Sequence, residues 1–158
     1  MSEMKTKKFT VSMDEKQIKY FLDKSFIMRL STLNKDGTIH SVPMWFVIIN
    51  QKIHFLTHKK SRKALNIRKR GNVTCLFDSG DEYATLRGFT MIGTAIEIDE
   101  RDILKKVRQK SLRKYFGLGH PHYSGYKNFD VKNFTVFKIE TKKIFSWDYR
   151  RNYLPFRS

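Results

Sequence analysis

A short cationic segment with a serine at its centre is the part of this sequence best suited to bind an anion. Lys59 and Lys60 precede Ser61, and Arg62 and Lys63 follow it. Ser61 is a favourable N-cap, so Arg62 and Lys63 would lie in the first turn of a helix, where the dipole disfavours cations unless an anion is near. Free backbone N–H groups and a guanidinium favour a phosphate there. The alternative is a solvated basic face, but the cluster directly follows a strand and opens a helix, which favours an anion site.

Two strands lead into this cluster. Residues 42–49 form an unbroken apolar run, which predicts a strand that is buried on both faces. Asn50 and Gln51 provide a turn, and residues 52–57 then alternate as in a strand that is half-buried. The chain therefore predicts a strand, a turn, a second strand and then the helix that begins at Ser61.

The remaining pattern predicts a mainly β protein with appended helices. Hairpin-like spacing without βαβ alternation favours an antiparallel barrel and excludes a Rossmann fold. Strands are predicted at residues 26–33, 38–49, 52–57, 72–78, 133–140 and 143–147, and residues 83–99 are predicted to form one long strand or two, bent near Gly88 and Gly93. Helices are predicted from an N-cap at Ser12 to about residue 23, from Ser61 to about residue 70, and over residues 100–116. Gly37 marks a hairpin turn and Gly71 a helix C-cap.

Composition limits the classes of protein. The 158 residues, 40% of them hydrophobic, predict one folded domain over residues 1–158, with 1–11 as a loosely attached lead-in. There is no apolar run of membrane-spanning length, so no membrane is expected as a partner. One cysteine, Cys75, excludes an internal disulfide and is expected to be a small buried side chain, which predicts a cytoplasmic protein. The net charge of +17 favours anionic partners.

Several motifs together resemble the pyridoxamine 5′-phosphate oxidase-like family of FMN-binding split β-barrels. The resemblance rests on RLSTL at 29–33, SVPMWF at 41–46, FLT at 55–57, SRK at 61–63 and Asn66, and it is closest over residues 20–100. The spacing between SVPMWF and SRK is the most specific part. The implied fold is an antiparallel split β-barrel.

The resemblance implies a flavin site at a homodimer interface. Val42, Pro43, Met44 and Trp45 would lie along the isoalloxazine, although Trp45 could equally be a core residue. Leu56 and Thr57 would flank the flavin and ribityl chain. Ser61, Arg62 and Lys63 would hold the phosphate. His58, beside the cationic cluster, is also expected to touch the cofactor.

The function implied is that of an FMN-dependent oxidoreductase acting on an unidentified small molecule. A flavin carries the redox chemistry itself, so no catalytic side chain is assigned. Val42 and Gly88 stand where the vitamin-processing oxidases carry Arg and Gln, which argues against pyridoxamine phosphate as the substrate. A deazaflavin-coenzyme-dependent reductase of the same fold is an alternative, as is a flavin carrier without turnover.

The rival class is a basic nucleic-acid-binding protein without redox activity. Residues 59–70, 105–114 and 142–151 form three basic tracts, the last with aromatic neighbours. No nucleic-acid-binding motif is present, and the strand aromatics are expected to point into the core, so this reading is not favoured.

His120 and His122 form the one metal-like spacing in the chain. They have no acid or cysteine nearby, so no metal site is predicted and the segment is interpreted as a loop.

Overall fold

Seven antiparallel strands form one curled sheet. The computed structural model describes residues 11–117, 119–122, 124–125 and 130–153. The strands are β1 Met28–Leu33, β2 Ile39–Met44, β3 Val47–Ile49, β4 Lys52–His58, β5 Asn72–Ser79, β6 Arg87–Ile98 and β7 Phe134–Asp148. Their order across the sheet is β2-β1-β5-β6-β7-β4-β3. This half-barrel is the split-barrel fold expected from the sequence. The predicted lead-in, apart from Val11, lies outside the described residues.

Helices lie against the sheet and between its strands. They are α1 Glu15–Lys24, α2 Arg62–Arg70, α3 Arg101–Tyr115 and α4 Arg150–Tyr153. The main core lies inside the curl of the sheet, where Phe55, Phe77 and Phe89 are fully buried. A smaller core around Val107 joins α3 to β3, β4 and β7. Cys75 is buried as expected, and burial raises the pKa of its thiol to about 12.

The predicted strand over residues 38–49 is two strands. β2 ends at Met44 and β3 begins at Val47, and they occupy opposite edges of the sheet. Phe46 turns into the core with 1% of its surface exposed, whereas Trp45 is 39% exposed. The prediction that the run is buried on both faces is wrong for β2, in which exposed and half-buried residues alternate. A uniformly apolar run has no periodicity that could mark the change of direction.

Two other boundaries differ from the prediction. Asp14, and not Ser12, caps α1: its carboxylate accepts the N–H of Gln17 at 2.9 Å, and the Gln17 side chain accepts the N–H of Asp14. The two strands predicted at 133–140 and 143–147 are the single strand β7. Its middle is exposed and polar, which resembles a turn in the sequence, but it continues to pair with β6 through a bulge at Ile92 and Gly93.

Candidate functional site

The junction between β4 and α2 places a serine hydroxyl at a helix N-terminus, as the sequence predicts. The hydroxyl of Ser61 accepts the N–H of Ala64 at 3.4 Å and lies 3.2 Å from the hydroxyl of buried Thr57. Gly71 ends the helix with φ at +71° and donates its N–H to Ile67. The N–H groups of Arg62 and Lys63 fall in the first turn, where a helix offers them no backbone acceptor.

The two cations of this first turn, Arg62 and Lys63, form no salt bridge among the described residues, although hydrogen bonds and, to a lesser degree, the charge of Arg62 lower the pKa of Asp36. The first turn itself contains no acidic residue. Lys63 is half-buried, and burial lowers the pKa of its amine. Arg68, later in the same helix, forms two bonds with Glu97, at 2.7 and 2.8 Å. Within the described residues, α2 therefore has a salt-bridged cation near its C-terminal end and two cations without salt bridges at its N-terminal end.

A buried amide holds α2 against β1. The side-chain N–H groups of Asn66 donate to the hydroxyl of Thr32 at 3.1 Å and to the side-chain oxygen of Asn34 at 2.8 Å. The guanidinium of Arg70 also donates to the carbonyl of Asn34, at 2.9 Å. Since β1 pairs directly with β2, these bonds fix the first turn of α2 relative to the edge strand.

Strand β2, at the edge of the sheet, exposes backbone N–H and C=O groups as well as side chains. It pairs only with β1, so every second N–H and C=O of the strand points away from the sheet. Pro43, which lacks an N–H, is exposed, whereas Val42 and Met44 are half-buried on the side of the core. The hydroxyls of Ser31 and Ser41 lie 3.0 Å apart across the pair.

The end of α3 fixes the link between β2 and β3. Trp45 stacks on the ring of Tyr115, with centroids 4.4 Å apart, so Trp45 is not a core residue. The hydroxyl of Tyr115 accepts the N–H of Phe46 at 2.8 Å. Lys114 donates to the carbonyl of Phe46 at 3.2 Å and lies 3.6 Å from the centroid of its ring. Burial lowers the pKa of Lys114 to about 8 and raises that of Tyr115 to about 12. Sequence reasoning missed both residues as parts of the site, because Tyr115 fits the apolar stripe of α3 and Lys114 its basic face.

The sequence profile described as pyridoxamine 5′-phosphate oxidase matches residues 14–148. The chain belongs to this family. A solved structure of a conserved hypothetical protein, Rv2991 from Mycobacterium tuberculosis, is 30% identical, with a TM-score of 0.83 over 97% of this chain and 96% of that one. No curated protein sequence matches significantly.

Two more distant solved structures have names that refer to different ligands, heme and F420. HutZ, a heme storage protein from Vibrio cholerae, is 16% identical, with a TM-score of 0.67 over 86% of this chain and 97% of its own. An F420 reductase is 19% identical, with a TM-score of 0.63 over 80% of this chain and 94% of its own. At these identities the likeness concerns the fold alone.

The predicted site residues of this pyridoxamine 5′-phosphate oxidase family member fall into two groups. Thr57, Ser61, Arg62 and Lys63 come together at the start of α2. The second group, Val42 to Trp45, lies on β2 and just beyond it. Leu56 points to the opposite side of β4 from Thr57 and packs into the smaller core beside α3.

His58 directly precedes the cationic cluster, whereas His120 and His122 lie in the loop after α3. His58 is exposed and edge-on to Phe134, and its Nδ1 accepts the N–H of Lys60 at 3.2 Å. In the loop, Nδ1 of His120 accepts the N–H of His122 at 3.2 Å. The described residues contain no cluster of three metal-ligating side chains. Nor is any described helix long and apolar enough to cross a membrane.

Proposed function

We propose that this family member binds FMN and uses it as an oxidoreductase on a small molecule. The observation that carries the proposal is the pair of cations, Arg62 and Lys63, in the first turn of α2 without a salt bridge to a carboxylate among the described residues. A half-buried lysine without a counterion is unfavourable, because burial penalises its charged form. A phosphate dianion supplies the missing charge and accepts the free N–H groups of the turn.

The residues that would hold each part of the cofactor follow from the placement of the two groups. Ser61, Arg62 and Lys63 would bind the phosphate, and Thr57 supports Ser61 through the contact between their hydroxyls. The exposed edge of β2 at Val42, Pro43 and Met44 offers backbone groups to the polar rim of the flavin ring. Bound flavin supplies the centre that accepts or donates a hydride. Trp45, fixed by Tyr115, would border one end of the ring.

A homodimer is part of the proposal, because the outer face of the sheet exposes several large apolar side chains. Leu33 and Ile39 form a cross-strand pair on this face and are 40% and 72% exposed. Further along the same face are Ile92, 37% exposed, and Phe145, 47% exposed. Exposed apolar surface of this extent is typical of an interface between chains. A second copy would bury this face and enclose a cofactor that lies along β2.

The test of cofactor binding compares FMN with riboflavin, which lacks the phosphate. Purified protein should bind FMN with twin visible absorption bands, and the R62A/K63A double variant should lose on the order of a hundredfold in FMN affinity, since hydrogen bonds to charged groups contribute roughly 1.5–3 kcal/mol each. Its riboflavin affinity should change little. The K16A/K19A variant removes two exposed charges from α1 and is the matched control. Equal FMN affinity in the two double variants would refute the phosphate assignment.

A second candidate cofactor is the deazaflavin coenzyme, which the likeness to an F420 reductase favours. It carries a phosphate group on the side chain of a similar ring system and would use the same helix terminus. A single visible band in place of two identifies it. HutZ is a heme storage protein, so heme is also tested. A Soret band after incubation with heme would indicate that this chain binds heme in place of a flavin.

A further inference from the structure

Two grooves meet at the exposed ring of Phe26. One, of about 410 Å³, passes between α1 and the β1–β5–β6 part of the sheet and is bordered by Tyr20, Lys24 and Arg29. The other, of about 460 Å³, follows the last turns of α3 and is bordered by Lys110 and Lys114, among others. Because Phe26 lines both, the two grooves adjoin at its side chain, and we call them together the Phe26 channel.

The walls of the Phe26 channel are strongly cationic. Six cationic residues line it against two carboxylates, those of Asp23 and Asp78. Asp78 already pairs with Arg29. The cations are Lys24, Arg29, Arg87, Lys110, Arg113 and Lys114. Cations arranged along a channel raise the local potential and attract an extended polyanion.

The channel also contains exposed aromatic rings beside these cations. Tyr20 is 63% exposed and Phe26 is 59% exposed. The ammonium of Lys24 lies 5.8 Å from the ring centroid of Tyr20, and that of Lys114 lies 5.8 Å from the ring centroid of Phe26. Large apolar rings left in water beside charged groups are unfavourable unless a partner covers them. Alternating rings and cations in a groove are the features by which proteins bind unpaired bases and the phosphates between them.

We propose that the Phe26 channel binds single-stranded nucleic acid. Bases stack on Tyr20 and Phe26, and the phosphates contact Lys24, Arg113 and Lys110. A duplex has its bases stacked on one another and cannot use the exposed rings. A flat anionic membrane would meet the cations but would not reach rings that line a groove. Lys114 lines the channel and also contacts the link between β2 and β3, but none of the residues proposed to contact the nucleic acid is assigned to the flavin, so the two proposals can be tested separately.

The test measures the fluorescence anisotropy of labelled dT15 and rU15 on the full-length protein, from low to moderate salt. The affinity should fall steeply with salt, because phosphate contacts release counterions. The Y20A/F26A variant should bind at least about tenfold more weakly at every salt concentration, and Y20F/F26Y should recover most of that loss, since base stacking needs only a ring. K24E should weaken binding, whereas K16E, on the same helix but outside the channel, should weaken it much less.

Three results would overturn the proposal. The first is equal affinity of wild type and Y20A/F26A for the oligonucleotides. The second is equal or tighter binding of a duplex of the same length. In the third, vesicles of anionic lipid bind with the same dependence on Tyr20 and Phe26 while the oligonucleotides do not bind. Both side chains are largely exposed, so the variants should keep their fold, and circular dichroism verifies that they do.

Discussion

The indole of Trp45 lies flat against the phenol ring of Tyr115, with 4.4 Å between ring centroids and 8° between the ring planes. The same phenol hydroxyl lies 2.8 Å from the carbonyl oxygens of both Phe26 and Phe46 and accepts the N–H of Phe46. One side chain at the end of α3 therefore fixes the point at which the chain passes from one edge of the sheet to the other. The orientation of Trp45 beside the proposed flavin strand depends on a residue about 70 positions away in the sequence.

Replacing Tyr115 with Phe tests this arrangement. The ring stack on Trp45 would remain, but the N–H of Phe46 would lose its acceptor in a half-buried position. The free energy of unfolding should fall by about 1–3 kcal/mol, as is typical when a buried polar group loses its partner. Urea denaturation followed by circular dichroism measures the change. Tyr20→Phe, at an exposed position, is the control, and an equal effect of the two substitutions would contradict the assigned role.

Replacing Asn66 with Ala should detach α2 from β1. Asn66 is 8% exposed and donates two hydrogen bonds, so its removal leaves Thr32 and Asn34 without those donors. We expect a loss of about 1–3 kcal/mol in unfolding free energy. The exposed Asn72→Ala should change the same quantity by less than about 0.5 kcal/mol. A small effect at both positions in urea denaturation would show that α2 is held by its apolar face alone.

The depressed pKa of Lys114 predicts a specific pH dependence of stability. Its pKa is about 8 in the folded chain, against 10.5 for an ordinary lysine, because burial disfavours its charge. Between pH 8 and 10 the unfolded chain therefore holds more protons at this position, so the contribution of Lys114 to stability rises with pH. Tyr115 opposes this only above pH 10, where an unfolded tyrosine begins to ionise, since its own pKa is about 12.

Lys114→Met removes this titration and keeps the apolar stem. Between pH 7.5 and 9.5 the unfolding free energy should rise less in the variant than in the wild type. The difference should be about 1 kcal/mol, because solvent screens the charge of a half-exposed group. Urea midpoints at pH 7.5, 8.5 and 9.5 measure the difference. Parallel curves for the two proteins would mean that the amine titrates normally.

The close contact between β6 and β7 at their bulge predicts that Gly93 cannot be replaced by a larger residue without loss of stability. A Cβ at this position would lie 2.4 Å from the carbonyl oxygen of Glu140, which is backbone and cannot move aside. Gly93→Ala should lower the unfolding free energy by about 1–3 kcal/mol. Gly119→Ala, where a Cβ would meet nothing within 4 Å, should be nearly neutral. Thermal unfolding of the two variants compares them, and a stable Gly93→Ala would imply that β7 shifts its register.

Local chemistry explains which elements could be predicted from the sequence. Ser61 and Gly71 mark both ends of α2 because a cap needs a side-chain oxygen at one end and a left-handed residue at the other. The α1 start was predicted two residues early, since Ser12 and Asp14 both head a plausible capping box and only the fold selects between them. The exposed middle of β7 reads as a turn because a strand that faces water loses its apolar alternation.

Long-range contacts explain what could not be predicted. The sequence predicts an anion site in the first turn of α2, whose two cations form no salt bridge with the described residues, but the residues assigned to the flavin stay a prediction. The roles of Lys114 and Tyr115 arise from contacts between α3 and residue 46, which no local pattern encodes. Similarly, the Phe26 channel unites residues from α1, β6 and α3 that are far apart in the sequence.

The position of β7 in the sheet has a consequence for the synthesis of the chain. β7 is the strand that joins β6 to β4, so without it the sheet separates into β2-β1-β5-β6 on one side and β4-β3 on the other. β7 is also the last of the seven strands to be synthesised, because it follows the other six in the chain. While this segment is still inside the ribosome, the emerged chain has two unpaired inner edges and cannot complete its core. Folding to the native state must therefore wait until β7 has emerged, and until then the exposed edges of β4 and β6 can pair with other chains unless chaperones or rapid synthesis prevent it.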